Sequence, residues 1–326
     1  MTTETFSVNG VRLFVRRLPG PSGTEPPLVA IHGGPSWDHS YLLPGLRPIA
    51  CHRTVIAFDL RGCGRSSRDL PIDAYQPEHL VADLVALLDH LGLDHVDLLG
   101  FSTGGQVAQL FVRDHPGRVR RLVLASTTAY GDVGDLLTCW DEYERRAAMV
   151  SPQPPELDDL QWTEHRAFSG APTAIWNLDR RAEYETLLSN VLFSGDRLAP
   201  WRRGLLRPWR PEDPPAVLRA FGRPVLIVHG EHDMGFPVEL ASRLHRAVPH
   251  STLAVIPHGA TWFSSSAQTT GRGISSRFSP STRRIDSGPD RVTHHLGVRT
   301  APPPGPEPDG AARSLPQRYR DDLNPP

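Results

Sequence analysis

Short aliphatic runs recur along the first 126 residues and alternate with stretches of helical spacing. Val11 to Val15, Leu28 to Ile31, Thr54 to Phe58, Val96 to Leu99 and Leu122 to Leu124 predict strands. The last four are continuous apolar runs, as expected of strands in a mostly parallel sheet with helices on both faces. Between them, Leu80, Leu84, Leu87, Leu88 and Leu91 fall at helical spacing after Pro77 and Glu78. A second helix is predicted from Thr103 to Asp114, stopped ahead of Pro116. Strand, helix, strand, helix in that order predicts an α/β fold with right-handed crossovers.

From 127 to 215 the pattern changes. Trp140, Trp162, Trp176, Trp201 and Trp209 stand among Arg, Glu and Pro, with helical spacing in places and no strand candidate. The segment is too long for a loop and predicts a helical cap inserted into the core. The α/β pattern then returns, with strands at Val225 to Val228 and Leu253 to Ile256 and a helix at Val238 to Ala247. Residues 1–126 and 216–263 are therefore read as one interrupted core. Residues 264–326 hold ten of the 33 prolines, many Ser and Arg, and no hydrophobic period. Such a stretch cannot bury enough apolar surface to offset its conformational entropy, and a disordered tail is expected.

Composition narrows the chemistry. The 326 residues carry 35 basic and 36 acidic side chains, a formal net charge of -1, so no global field favours nucleic acid or an anionic membrane as partner. Every basic residue is Arg; the absence of Lys excludes a P-loop lysine or a lysine Schiff base. No run approaches the ~20 apolar residues that span a bilayer. The start, Met1 to Phe6, lacks the basic and apolar regions of a signal peptide, and Cys51, Cys63 and Cys139 show no metal-ligand spacing. A cytoplasmic protein with reduced thiols, no metal and no cofactor is expected; the residues do not indicate an oligomeric state.

Gly100-Phe101-Ser102-Thr103-Gly104 is a G-x-S-x-G motif between a predicted strand and a predicted helix. A serine on so sharp a turn needs glycine at its flanks, and the turn lifts its hydroxyl above the sheet as a nucleophile. The Thr103 amide, at the helix start, then faces a developing oxyanion. His32-Gly33-Gly34-Pro35 follows another strand, and its glycines let the Gly34 amide approach the same point. His32 precedes that turn and reads as a hydrogen-bonded structural histidine. Gly230-Glu231-His232-Asp233 follows the strand after the insertion and supplies an acid that would orient an imidazole, Asp233 or its neighbour Glu231. Asp59 reads as a brace for the loop from Arg61 to Ser66.

Together these residues resemble the α/β-hydrolase superfamily. His32-Gly33-Gly34-Pro35 with Asp59-Leu60-Arg61-Gly62-Cys63-Gly64-Arg65-Ser66 is similar to the proline iminopeptidase branch, peptidase family S33. The resemblance covers residues 8 to 262 and implies an α/β-hydrolase fold with a helical lid, a metal-free serine mechanism, and Asp233 over Glu231 as the acid. Two positions depart from the branch: Ser36, where glycine is usual, and Thr103, where tryptophan is usual. The sequence Gly100 to Gly105 matches esterases and cofactor-free haloperoxidase-like members instead. The expected reaction is acyl transfer to water through an acyl-enzyme. Its substrate would be a small ester or an N-terminal prolyl peptide.

The family places its base after the last strand, in a pattern like Ile-Pro-x-x-Gly-His. Here Ile256-Pro257-His258-Gly259-Ala260-Thr261 puts threonine at that position. A threonine hydroxyl cannot accept a proton at neutral pH. His258, three residues early, is the candidate base, with His294 or His295 folding back from the tail as the alternative. A reading frame shifted near residue 260 would explain both the missing histidine and the change in composition. A Gly-His followed by an amphipathic helix in another frame would show it. The competing reading of the whole chain is a catalytically impaired homologue acting as a binding protein. In the cap, Asp141, Glu142, Glu144, Glu156, Glu164, Glu183 and Glu185 are candidates to pair with a substrate amine, although nearby arginines favour a solvated face.

Overall fold

Strands that are apolar on every residue can be buried only where helices cover both sides of the sheet. The chain does this at its centre. In the computed structural model, which describes residues 1–21, 25–34, 36–131, 136–137 and 140–262, eight strands form one sheet. They are β1 (Thr2–Val8), β2 (Val11–Leu18), β3 (Leu28–Ile31), β4 (Val55–Phe58), β5 (Val96–Phe101), β6 (Val119–Ala125), β7 (Val225–Gly230) and β8 (Ser251–Ile256). Their order is β1-β2-β4-β3-β5-β6-β7-β8. β2 pairs antiparallel with β1 and β4, and all pairs from β4 to β8 are parallel. Every residue of β3, β4, β5 and β7 is buried.

The α-helices described in full are α1 (Leu43–Ala50), α2 (Pro77–His90), α3 (Thr103–Asp114), α4 (Asp141–Ala147), α5 (Asp159–Ser169), α6 (Ala171–Ala174), α7 (Arg181–Leu188), α8 (Leu198–Arg202), α9 (Pro214–Phe221) and α10 (Val238–Ala247). α2, α3, α9 and α10 give one face its core, including Leu84, Leu88, Phe111, Leu218 and Leu244. On the other face α1 packs beside residues from the β6–β7 connection, among them Ala167, Tyr184, Leu188 and Phe193. No strand interrupts that connection among its described residues. No helix among the described residues is long and apolar enough to cross a membrane.

α3 and α10 occupy the residues their spacing predicts. Three elements were not anticipated. β1 is polar and mostly exposed (Thr2, Thr3, Glu4, Thr5), an edge strand held by its pairing with β2. α1 contains Pro48 in its interior, which argues against a helix locally, yet Leu43, Leu46 and Ile49 bury its apolar side. α9 is capped by the Asp213 carboxylate, which accepts from the Ala216 amide at 3.0 Å, and it ends at Gly222 in the left-handed region. The expected disordered tail at 264–326, with His294 and His295, lies outside the described residues, as do Pro35 and Cys139.

Candidate active site

β5 ends at Phe101 and α3 begins at Thr103, so the chain reverses within the single residue Ser102. Its φ of 52° and ψ of -125° are unusual for a residue with a side chain. The turn is held on both sides: the Ser102 amide donates to the Ala125 carbonyl at 2.9 Å, and Thr127 Oγ1 donates to the Ser102 carbonyl at 2.6 Å. The glycines around it are demanded by contact. A Cβ at Gly100 would lie 2.5 Å from the Gly104 carbonyl oxygen, and one at Gly104 would lie 2.3 Å from the His32 carbonyl oxygen.

The turn after β3 lies against this elbow. A Cβ at Gly33 would meet Ser102 Cβ at 2.7 Å. The Gly33 amide donates to Tyr41 Oη at 2.6 Å, so it is already engaged. Gly34 follows at a φ of 128°, and its carbonyl accepts from Thr103 Oγ1 at 3.2 Å, joining the two turns. Threonine in place of the branch's usual tryptophan thus adds a tie between the elbow and the glycine turn. Ser36, the other departure, is fully buried at a φ of 60°. Its hydroxyl accepts from the Leu198 and Arg197 amides at 3.0 and 3.2 Å, anchoring the start of α8 to the core.

His32 is a structural histidine. The Leu60 amide donates to its Nε2 at 3.0 Å, which leaves Nδ1 protonated and donating to the Gly33 carbonyl at 2.8 Å. Burial dominates its titration and lowers its pKa to about 4, partly opposed by Asp59. The unfolded chain takes up this proton near pH 6.5 and the native state only near 4. The contribution of neutral His32 to stability is therefore complete above about pH 6.5 and lost as pH falls toward 4, on the order of 3 kcal/mol in all. Urea melts at pH 7.5, 6 and 4.5 should show this loss, and it should be much smaller in His32→Gln. Asp59 accepts from the His39 amide and ring at 3.0 and 2.6 Å and from the Arg65 amide at 2.9 Å. It braces the 61–66 loop.

Asp233 follows β7 and is buried. Its Oδ1 accepts from the Gly235 and Phe236 amides at 2.8 and 2.9 Å and from Thr261 Oγ1 at 2.7 Å. Its Oδ2 is buried with no hydrogen-bond partner among the described residues. Thr261 in turn holds the end of β6, where Ser126 Oγ donates to its carbonyl at 3.3 Å. The threonine thus stands on the acid, at the place where an imidazole would receive its orienting bond. Glu231, the competing carboxylate, is exposed and accepts from the His258 amide at 3.1 Å.

The structure does not bring His258 to Ser102. At a φ of 53° its ring is turned to the outside, beside Glu231 and His232. The position that meets Asp233 lies three residues further along the chain, and the bond of the His258 amide to Glu231 fixes that orientation.

Ser102, Thr103, Gly34 and Thr261 line one cavity of about 240 Å³. Its walls are largely aromatic, with Trp37, Tyr41, Tyr143, Trp162, Tyr184 and Trp262. No Asp, Glu or His is among the residues described around it. Three of the acidic cap residues are engaged elsewhere: Glu142 with Arg145 and Arg146, Glu183 with Arg180, Glu185 with Arg181. The one cation on the described wall is Arg166, half-buried and without an ion pair among the described residues. Sequence reading missed Arg166 and Tyr41, since an isolated Arg or Tyr on a helix carries no signal of where it points.

Comparison with known proteins agrees with this geometry. The family model for the alpha/beta hydrolase fold matches residues 26–266. A proline iminopeptidase of Lactobacillus crispatus is 40% identical over 117 residues, 34% of this chain and only 39% of that enzyme's length. A proline iminopeptidase of Lactiplantibacillus plantarum is 27% identical over 273 residues, 76% of this chain and 90% of that one. Among solved structures, an esterase from Exiguobacterium antarcticum superposes with a TM-score of 0.62 at 21% identity, covering 85% of this chain and 99% of the esterase. Sheet order, serine elbow and family match converge: the chain belongs to the alpha/beta hydrolase fold family and resembles its proline iminopeptidase branch.

Proposed function

We propose that the protein is a serine hydrolase that cleaves small esters through an acyl-enzyme. The observation that carries this reading is Ser102, presented at a φ of 52° on a glycine-flanked turn in the floor of an aromatic cavity. Ser102 attacks the carbonyl carbon, and the amides of Gly34 and Thr103 receive the oxyanion. Asp233 is the acid of the site. The histidine of the usual triad has no counterpart on the described wall, where Thr261 occupies its bond to the acid. Turnover is therefore slow: a site keeping its oxyanion hole and binding contacts but lacking a triad member retains about 10³–10⁴-fold over water.

Esters are favoured over N-terminal prolyl peptides by the charge of the cavity. A free substrate amine needs a carboxylate partner, and none lines the described wall, whereas Arg166 would repel it. A fluorophosphonate probe should label the protein slowly and to one equivalent, with no labelling of Ser102→Ala. Persistent labelling of that variant would remove Ser102 from the mechanism. A short-chain aryl ester should be cleaved faster than a proline arylamide. For an aryl ester bearing a distal carboxylate, Arg166→Leu should lower kcat/KM by about 10–100-fold, the range of one hydrogen bond to a charged group. For a neutral ester of equal length the same variant should change little.

A further inference from the structure

The acid turn and the loop that carries Thr261 meet a second time, on the outer surface. Glu231, His232 and His258 place one ligand atom each within 4.8 Å of the others. His232 Nε2 lies 3.6 Å from Glu231 Oε2, close to the ~3.3 Å edge of a tetrahedron with zinc-to-ligand bonds of about 2.0–2.1 Å. One other group of this kind exists among the described residues, Asp38 with His39 and Asp59. It is fully buried, and His39 and Arg65 already occupy the Asp59 carboxylate.

We propose that Glu231, His232 and His258 form a surface site for a divalent transition-metal ion of the zinc type. Two imidazoles and a carboxylate suit a borderline ion and leave a coordination position for water. Three features prepare the groups for it. The His232 ring is stacked on Trp176 with centroids 3.7 Å apart and 21° between planes, which restricts its rotation. The Glu231 carboxylate is oriented by the His258 amide, the kind of outer-shell bond that holds a ligand in place. His258 itself is held at a φ of 53°, an uncommon conformation for a side-chain-bearing residue, and this turns its ring to the other two. The loops beneath are already joined, the His232 amide donating to the Gly259 carbonyl at 2.7 Å and the Glu231 amide to the Ile256 carbonyl at 3.0 Å. An ion here clips the Asp233 turn to the Thr261 loop. The site does not depend on the hydrolase reading.

Zinc chloride titrated calorimetrically into the full chain tests the site. One equivalent should bind, and cobalt(II) should give the visible absorption of a low-symmetry site. The unfolding temperature should rise with zinc concentration, because the ion binds the native fold. His232→Phe keeps the stack on Trp176 and removes a ligand; His258→Asn keeps a residue tolerant of positive φ. Each should weaken zinc binding at least about 100-fold, and Glu231→Gln about 10–100-fold, while the melting temperature without metal stays near that of the parent chain. A variant that does not fold is replaced by the parent chain with the cobalt spectrum alone, where absence of the absorption counts against the site. No binding by the parent, or binding unchanged in His232→Phe and His258→Asn and lost instead in a His294→Asn, His295→Asn double variant, overturns the proposal.

Discussion

Thr261→His should raise ester hydrolysis by about 10²–10⁴-fold, the span a positioned general base supplies. Position 261 already has what an imidazole needs. Its side chain meets Asp233 Oδ1 at 2.7 Å, it lines the same cavity as Ser102, and a further buried oxygen, Asp233 Oδ2, has no hydrogen bond among the described residues, with His229 Nε2 3.4 Å away. Placed there, Nδ1–H donates to the carboxylate, and Nε2 faces the serine and accepts its proton. The gain should appear in kcat more than in KM, since proton transfer is made only in the transition state. The pH–rate profile should acquire a rising limb near the histidine range, around pH 6.5. Two controls bound the claim: Asp233→Asn should remove most of the gain, and Ser102→Ala should remove all of it. An unchanged rate in a folded Thr261→His protein would mean that residue 261 does not face the nucleophile.

A large stability effect of a single methyl group is expected at Gly104. The first turn of α3 rests on the backbone at the end of β3, and a Cβ there would lie 2.3 Å from the His32 carbonyl oxygen and 2.5 Å from that of Ile31. Both atoms are main chain beside the elbow, so neither can swing aside. Relief requires moving α3 away from the sheet, and α3 carries Val107, Ala108, Leu110 and Phe111 into the core. Gly104→Ala should cost about 3 kcal/mol or more, at the upper end of overpacking effects. In denaturant melts this is a large fall in midpoint, accompanied by loss of fluorophosphonate labelling because the elbow shifts. Gly117→Ala makes the comparison fair: nothing lies within 4 Å of a Cβ there. It should change stability by no more than about 0.5 kcal/mol.

These two positions separate what local pattern carries from what it does not. Residue type and spacing determined by themselves the α/β class, the central strands, the ranges of α3 and α10, and the serine between strand and glycine-rich helix start. Those features follow from short-range physics: apolar runs must be covered, and only glycine tolerates the approach of backbone at Gly100 and Gly104. The same local physics misled at α1, where Pro48 opposed a helix that burial of Leu46 and Ile49 stabilises, and at β1, whose polar residues are extended because β2 offers them an edge. Which side chains converge was decided only in three dimensions. His258 turns outward to Glu231 while Thr261 takes the bond to Asp233, and Arg166 comes to the same cavity as Ser102 and Thr261, both far away in the chain. Sequence separation says nothing about such meetings, because they depend on the sheet order that sets β6, β7 and β8 side by side and on where each connecting loop crosses the sheet's edge.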